Sequence, residues 1–442
     1  MASPLTLDTT IPPPHSAIVE KLAPRSPSYA LARTSLIATL LAAPLAFGAV
    51  QEWAWGAMAI VAFLLLLFWS IAGARHGGLK ILWSPLYLPA GLFFLLGMIQ
   101  FVGHLTMDPI ATRESLLKLA TDLIVFFMAG QLFSTAPEKT ARAFSSTIVV
   151  YAFLLALFAI FQFFSSQGLI YWTVKSPGWT FGPYVNHNHY AGLMEMLIPL
   201  SVASVLPALR KHPSAVLLGF VILILIASLL LSGSRGGFIS LVVEVLLAAV
   251  LVFLCGPRHA RKVTALLGGS AILAAALLFF WMAPRHIAVR LARMGDGTHP
   301  TEVELGNRLV VARDSLRIFG AHPWLGVGLG SFETAFPPLQ SFASGYRWDH
   351  AHNDYAEALA ETGLAGGALV LCALGLFFRL AFRNLCERLR HRAGWIQIAA
   401  ALGCCGLLVH SFVDFNLHIP ANAAWFAVCA AVATSSTPGR AK

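Results

Sequence analysis

The polar stretch "DHAHNDYAEALAETGLAG", residues 349–366, contains side chains that could do chemistry in an otherwise apolar chain. His350 and His352, together with Asp349, could bind a metal ion, but their spacing matches no common zinc pattern and no third ligand at helical spacing is evident. A neutral imidazole can also accept a proton near neutral pH. We therefore expect no metal ion and take His352 as the candidate general base.

The same stretch carries a pattern typical of the start of a helix. Asp354, followed three residues later by Glu357, forms a capping box, which predicts a helix over 355–362 that ends at Gly363. We therefore predict that Asp354 caps this helix and takes no part in catalysis.

The composition identifies the elements that must position these residues. Of 442 residues, 57% are hydrophobic and 11% are charged, and the mean hydropathy is +0.74, whereas a soluble domain carries about a quarter charged residues. A membrane-spanning helix needs roughly 20 apolar residues. Twelve apolar runs predict twelve spans, at residues 34–50, 54–73, 85–105, 116–133, 146–166, 191–208, 215–232, 237–255, 264–283, 364–381, 394–413 and 419–434.

The sequence thus predicts an all-α polytopic membrane protein in five segments. A polar, proline-rich leader at 1–33 is expected to lie in the cytoplasm and to escape cleavage. Nine spans over 34–283 follow, and then a large outside loop with short helices at 284–363. Three more spans over 364–434 and a short cytoplasmic tail at 435–442 complete the chain.

The distribution of basic residues predicts the orientation. The short loops rich in Lys and Arg fall on one side when both termini are in the cytoplasm. The net charge of +10 is then largely topological, and nucleic-acid binding is a poor explanation for it. All six cysteines fall in spans or on the cytoplasmic side, so we expect neither a disulfide nor a cysteine-bound metal.

The turn "SGSRGG" at 232–237 is expected on the outside, between the seventh and eighth spans. It places Ser234 and Arg235 at a helix N-terminus, where free N–H groups and the positive dipole attract phosphate. The planar fork of Arg235 suits two phosphate oxygens, although a turn arginine that reaches lipid headgroups is an alternative. A second outside segment, "SPGWTFGPYVNHNHY" at 176–190, carries Asn188 and His189.

The outside loop is predicted to contain an amphipathic helix over 307–319. Its basic residues, Arg308, Arg313 and Arg317, could bind substrate, or the helix could lie on anionic lipids. Its predicted apolar stripe consists of Leu309, Ala312, Leu316 and Phe319. The following "GVGLGSF" is not a nucleotide-binding loop, because no strand–helix unit surrounds it.

Together these features resemble the O-antigen ligase and polymerase superfamily of bacterial envelope transferases. The ligase motif is His-Asn, nine residues, Gly, two residues and a small residue; residues 352–366 fit it with Gly363 and Gly366 at the last two positions. The family's arginine in a small-residue turn corresponds to Arg235, and its second outside-loop arginine to Arg308. The layout of twelve spans with a late outside loop is also similar.

The resemblance implies a GT-C-like glycan transferase at the periplasmic face of the bacterial inner membrane. Its donor would be a glycan on undecaprenyl pyrophosphate, and its acceptor either lipid A-core or a growing glycan. Arg235 and Arg308 would bind the pyrophosphate, and His352 would take the acceptor's proton during an inverting attack, with no cofactor and no metal. The expected substrate-binding residues are Asn353, His350, His189, Asn188, Arg313, Arg317 and Ser234.

Two other classes of protein remain open. A transporter or flippase of lipid-linked sugars would use ionisable residues inside the spans, and such residues are present at Asp122, Glu195, Glu244 and His410. A scaffold for envelope assembly would leave the arginines and histidines on the outside unexplained.

Overall fold

The computed structural model describes residues 27–75, 81–133, 138–176, 178–209, 215–255, 269, 305–342, 347–383, 385–389 and 392–435. These residues form helices joined by turns, and no β-strand occurs among them. The α-helices are α1 (Pro27–Leu45), α2 (Glu52–Arg75), α3 (Tyr87–Val102), α4 (Pro109–Phe133), α5 (Glu138–Ser165), α6 (His187–Leu209), α7 (Ala215–Leu231), α8 (Arg235–Cys255), α9 (Leu305–Ala321), α10 (Phe332–Ala335), α11 (Asp354–Ala381), α12 (Leu385–Arg388), α13 (Arg392–His410) and α14 (Pro420–Thr434). Short 3₁₀-helices lie at Phe47–Ala49, Pro337–Leu339 and Asn416–His418.

The all-helical membrane class is confirmed. Among the described residues, six helices are long and apolar enough to cross a membrane: Ser28–Leu45, Glu52–Arg75, Pro109–Phe133, Arg142–Ser165, Arg235–Cys255 and Asp354–Ala381. Shorter apolar helices lie at Tyr87–Val102, Val216–Leu231, Gly394–His410 and Pro420–Thr434. Every predicted span overlaps a helix except 264–283, of which the structure describes residue 269 alone. The total of twelve spans stays a prediction.

The first helix starts earlier than expected. It begins at Pro27, inside the segment 1–33 that was predicted to be a polar leader. Residues 27–33 read "PSYALAR", in which small and apolar residues extend the helix backwards from the first apolar run.

The packing of α13 creates the centre of the molecule. This helix packs against α6, α8 and α14, and two glycines permit the close approach. A Cβ on Gly403 would lie 2.8 Å from Met196 Cα, and a Cβ on Gly192 would lie 2.3 Å from Asn416 Oδ1. Small residues serve this purpose between membrane helices, because they let backbones come close. The turn after α13 is thereby held against the first residues of α6.

The predicted amphipathic helix is confirmed as α9, but its predicted apolar stripe is wrong. Leu309 and Leu316 are exposed, whereas Val311 and Ile318 are buried in a cluster with Phe336. Both sets of residues recur at helical spacing, so periodicity alone could not identify the face that packs inward.

The break in α11 falls at Gly363, as predicted. Gly363 has φ +62°, and a Cβ there would lie 2.5 Å from the carbonyl carbon of Trp324. Before the break, the N–H groups of residues 327–328 donate to the carbonyls of residues 360–361, at 3.1 and 3.0 Å. After it, the N–H groups of residues 364–365 donate to the carbonyls of residues 323–324, at 2.7 and 3.1 Å.

The glycines of "GVGLGSF" allow the same segment to lie close against α11. Gly326 and Gly328 have φ +69° and +109°, and added Cβ atoms would lie within 2.2 Å of the Glu361 backbone and 2.1 Å of Thr106. Gln100 on α3 donates from Nε2 to the carbonyl of Glu361 at 2.8 Å. The segment therefore follows a tight path across α3 and α11.

The expectation of no disulfide is wrong. Cys255 at the end of α8 and Cys386 in α12 form one, with their Cα atoms 4.8 Å apart. The two residues are 131 positions apart in the chain, and they meet because α12 packs on α8. Loop placement alone could not reveal such a contact.

Candidate functional site

The candidate site lies around the turn between α13 and α14. This turn has the sequence "HSFVDFNLHIP" from 410 to 420. Three predicted site residues meet at one buried carboxylate, Asp414. They come from α6, from α9 and from the segment that precedes α11.

Asp414 is fully buried and is surrounded by cationic or ionisable groups. Arg308 Nη1 donates to its Oδ2 at 3.1 Å and to the carbonyl of Val413 at 2.9 Å. His189 Nε2 and His352 Nδ1 lie 3.6 and 3.8 Å from Oδ1. The backbone N–H of Phe415 donates to Oδ1 at 2.8 Å.

The electrostatics of this cluster keep Asp414 ionised. Burial raises the pKa of a carboxyl group, but Arg308 and the two histidines outweigh it and hold the pKa of Asp414 well below its ordinary value. The site therefore contains a fixed negative charge beside His352.

His352 is held in a conformation that few residues adopt. Its φ is +50°, in the left-handed region, and its side chain is 10% exposed. Nδ1 is buried and makes no hydrogen bond to any residue that the structure describes. The ring packs edge-on against Trp348 and Phe415, with centroids 5.6 and 4.9 Å away.

The helix after His352 is capped by Asn353, so the predicted role of Asp354 is wrong. Asn353 Oδ1 accepts from the N–H groups of Tyr355 and Ala356 at 3.1 and 2.9 Å. Its Nδ2 donates to the carbonyl of Phe412 at 3.0 Å. Asn353 therefore fixes His352 to the central turn, because it binds the helix start and the turn together.

Asp354 instead binds a histidine of the central turn. Its Oδ1 lies 2.8 Å from His418 Nδ1. Both asparagine and aspartate are good N-caps; here Asn353 takes that role, and Asp354 pairs with a histidine 64 positions further on.

A second polar cluster lies beside the first and contains His350. His350 Nδ1 is 2.7 Å from Glu357 Oε1, and the N–H of Ala351 donates to Glu357 Oε2 at 2.7 Å. His418 Nε2 lies 3.3 Å from Glu357 Oε1. Desolvation lowers the pKa of His418, but Glu357 and Asp354 outweigh it and raise that pKa to about 10.

Phe415 connects the two clusters. Its ring stacks on His350 with centroids 4.3 Å apart and meets His189 and His352 edge-on at 4.8 and 4.9 Å. Three imidazoles therefore share one aromatic surface.

Arg235 lies at the N-terminus of α8, next to the central turn. A Cβ on the neighbouring Gly236 would lie 2.4 Å from the His410 ring and 3.1 Å from Val413, which is the residue whose carbonyl binds Arg308. Arg235 itself is exposed, and within the described part of the chain no side chain pairs with it. Arg235 and Arg308 thus flank the same turn.

The structure corrects the prediction that this turn exposes several free N–H groups. Ser234 is buried, and its Oγ accepts from the N–H of Gly237 at 3.1 Å, so Ser234 caps α8. Gly236 and Gly237 are buried against neighbouring helices. Close packing requires these glycines.

The remaining predicted residues lie apart from Asp414. Arg313 and Arg317 are more than half exposed and pair with the buried Asp314 at 3.1 and 3.5 Å. Asn188 is buried, and its N–H donates to Asn186 Oδ1 at 2.9 Å.

Sequence reasoning missed Asp414, Phe415 and His418. The available signal was "HSFVDFNLHIP", which contains four ionisable or amide side chains between two strongly apolar spans. Of the residues that a transporter would use, Glu195 and His410 form a buried pair at 2.7 Å beneath this turn.

Residues 220–371 match the family model described as O-antigen ligase. The match covers α8, α9 and most of α11, and thus includes Arg235, Arg308 and His352. The likeness is to this part of the chain, 152 of its 442 residues. No curated protein matches the chain.

Proposed function

We propose that this chain transfers a glycan from undecaprenyl pyrophosphate to a sugar hydroxyl at the periplasmic face of the inner membrane, a function that the likeness of residues 220–371 to the O-antigen ligase family supports. The family implies a glycosyltransferase type of activity, and the apolar helices imply a membrane environment. The acceptor is lipid A-core in a ligase or the growing glycan in a polymerase.

His352 acts as the general base in this proposal. Asp414 lies 3.8 Å from Nδ1, which leaves Nε2 to take the proton from the acceptor hydroxyl as that oxygen attacks the anomeric carbon. The attack comes from the side opposite the leaving pyrophosphate and inverts the carbon. The negative charge of Asp414 stabilises the imidazolium that forms.

Arg235 and Arg308 bind the pyrophosphate and stabilise the charge that develops on it as it leaves. Arg308 Nη1 donates hydrogen bonds to the carboxylate of Asp414 and the carbonyl of Val413. No described residue accepts from its buried Nε. That donor remains for a ligand oxygen. Arg235 is exposed beside the same turn, and two guanidinium groups make added Mg²⁺ or Mn²⁺ unnecessary for the pyrophosphate.

The arrangement of Arg308, Asp414 and His352 is the observation that carries the proposal. In the test, purified full-length His352→Ala protein is mixed with the lipid-linked donor and an acceptor. We expect it to bind the donor as the wild type does and to transfer roughly 10²–10⁴-fold more slowly. His322→Ala, which changes an exposed histidine elsewhere, is the matched control and should transfer normally.

Normal transfer by His352→Ala protein would overturn the role of His352 as the base, and absence of transfer by the wild-type protein would overturn the proposed function. A lipid-linked-sugar transporter is the alternative, and the buried Glu195–His410 pair favours it. A transporter would not join donor to acceptor in detergent, where no gradient exists. Transfer in detergent without added Mg²⁺ or Mn²⁺ therefore separates the two functions.

A further inference from the structure

The cluster beside the base contains a ligand set that the proposed function does not use. His350, Glu357 and His418 each offer one ligand atom, and these three atoms lie within 4.8 Å of one another. We propose that the three residues bind one divalent cation of the zinc class, which prefers imidazole nitrogen and carboxylate oxygen in this combination.

The groups around the three ligands resemble the outer shell of a metal site. His418 Nδ1 lies 2.8 Å from Asp354 Oδ1, so when the ion displaces the proton on Nε2, the proton left on Nδ1 is donated to Asp354 and the Nε2 lone pair binds the ion. Glu357 Oε2 accepts from the N–H of Ala351 at 2.7 Å, which leaves Oε1 for the ion. Metal-binding histidines commonly donate their second nitrogen to a carboxylate in this way.

The distances fit an ion after small movements. Ligand atoms about 2.1 Å from a tetrahedral zinc ion are about 3.4 Å apart. His418 Nε2 is 3.3 Å from Glu357 Oε1, and the 2.7 Å contact of His350 with the same oxygen needs to open by less than about 1 Å. The three ligand atoms lie within 4.8 Å of one another, so the two histidines approach each other by up to about 1.4 Å to reach that spacing. Glu357 is buried, whereas His350 and His418 are 26% and 33% exposed, so an ion can enter from solvent.

This site is separate from the one proposed for the pyrophosphate. The ion ties together three parts of the chain: the segment before His352, the first turns of α11 and the turn after α13. Ala351, which is fixed by Glu357, directly precedes the base. The ion therefore stabilises the loop that presents His352.

The test uses full-length protein purified in detergent without a polyhistidine tag. The protein is stripped with a chelator, exposed to Zn²⁺, separated from free metal and analysed by elemental mass spectrometry. We expect one Zn²⁺ per chain and, with Co²⁺, the visible absorption of an imidazole-bound cobalt ion. Glu357→Gln and His418→Ala should weaken Zn²⁺ binding by at least about tenfold.

Two control variants make the result specific. His322→Ala should bind Zn²⁺ as the wild type does. His352→Ala should also keep its Zn²⁺ while it loses transfer, so that failure of the metal site and failure of the proposed function are distinguishable. Absence of both stoichiometric Zn²⁺ and cobalt absorption in the wild type would overturn the proposal. Equal Zn²⁺ binding by the wild type and the two ligand variants would also overturn it.

Discussion

Replacing Asp414 with asparagine separates its electrostatic role from its shape. The carboxylate lies 3.8 Å from His352 Nδ1. At an effective dielectric constant of about 20, a carboxylate and an imidazolium at this distance attract each other by about 4 kcal/mol. Arg308, 3.1 Å from the same carboxylate, opposes the imidazolium and reduces the net gain. We therefore expect Asp414→Asn to slow transfer by about 10- to 10³-fold.

The same substitution should also weaken the fold. Arg308 is 11% exposed and would lose the charge of its partner, and breaking a buried ion pair costs about 3–5 kcal/mol. Asparagine still accepts hydrogen bonds, so the loss should fall at the lower end of that range. A thermal unfolding measurement in detergent gives this effect separately from the rate.

The assay is single-turnover transfer at saturating acceptor, together with donor binding. Asp349→Asn is the control, because it removes an exposed carboxylate three residues from His352 and changes the net charge equally. Wild-type transfer by Asp414→Asn protein would refute the reasoning. So would a loss of donor binding as large as the loss of rate, because Asp414 would then act only through Arg308.

Three other predictions concern the arginines, the topology and the packing. Arg235→Lys should impair donor binding almost as much as Arg235→Ala, because lysine keeps the charge but loses the planar fork; full binding by the lysine variant would make Arg235 a topological charge. Cysteines introduced at positions 235 and 340 should react with an impermeant reagent from the periplasm. A cysteine introduced in place of Arg75 should react only after the inner membrane is broken. The reverse pattern would contradict the predicted orientation. Gly236→Ala should lower the unfolding temperature, because the added methyl group overpacks against His410 at a cost of about 1–3 kcal/mol. Gly219→Ala is the control, since a Cβ there meets nothing within 4 Å. Equal unfolding temperatures of the two variants would show that α8 can move away from His410.

Local patterns predicted the helices and part of the site. Runs of apolar residues determine where membrane helices form, and every described run became helical. Arg308, His189 and His352 were expected on one side of the membrane, and the structure brings them to one carboxylate.

What could not be predicted depends on contacts between distant segments. Asp414 became central only because α13 docks on α6 through Gly192 and Gly403. Asp354, the predicted cap, instead pairs with His418, which is 64 positions away in the chain. The inward face of α9 was predicted wrongly, because it depends on the residues that α9 packs against, such as Phe336.

The break at Gly363 has a mechanical consequence. A break within a helix commonly acts as a hinge, but here backbone hydrogen bonds on both sides hold it to residues 323–328. These residues continue the chain from α9, which carries Arg308. A displacement of α9 by a bound ligand would therefore be transmitted to the break in α11, at the end of the helical segment that follows His352. We expect the amides of residues 327–328 and 364–365 to exchange slowly and together with deuterium, as one rigid unit.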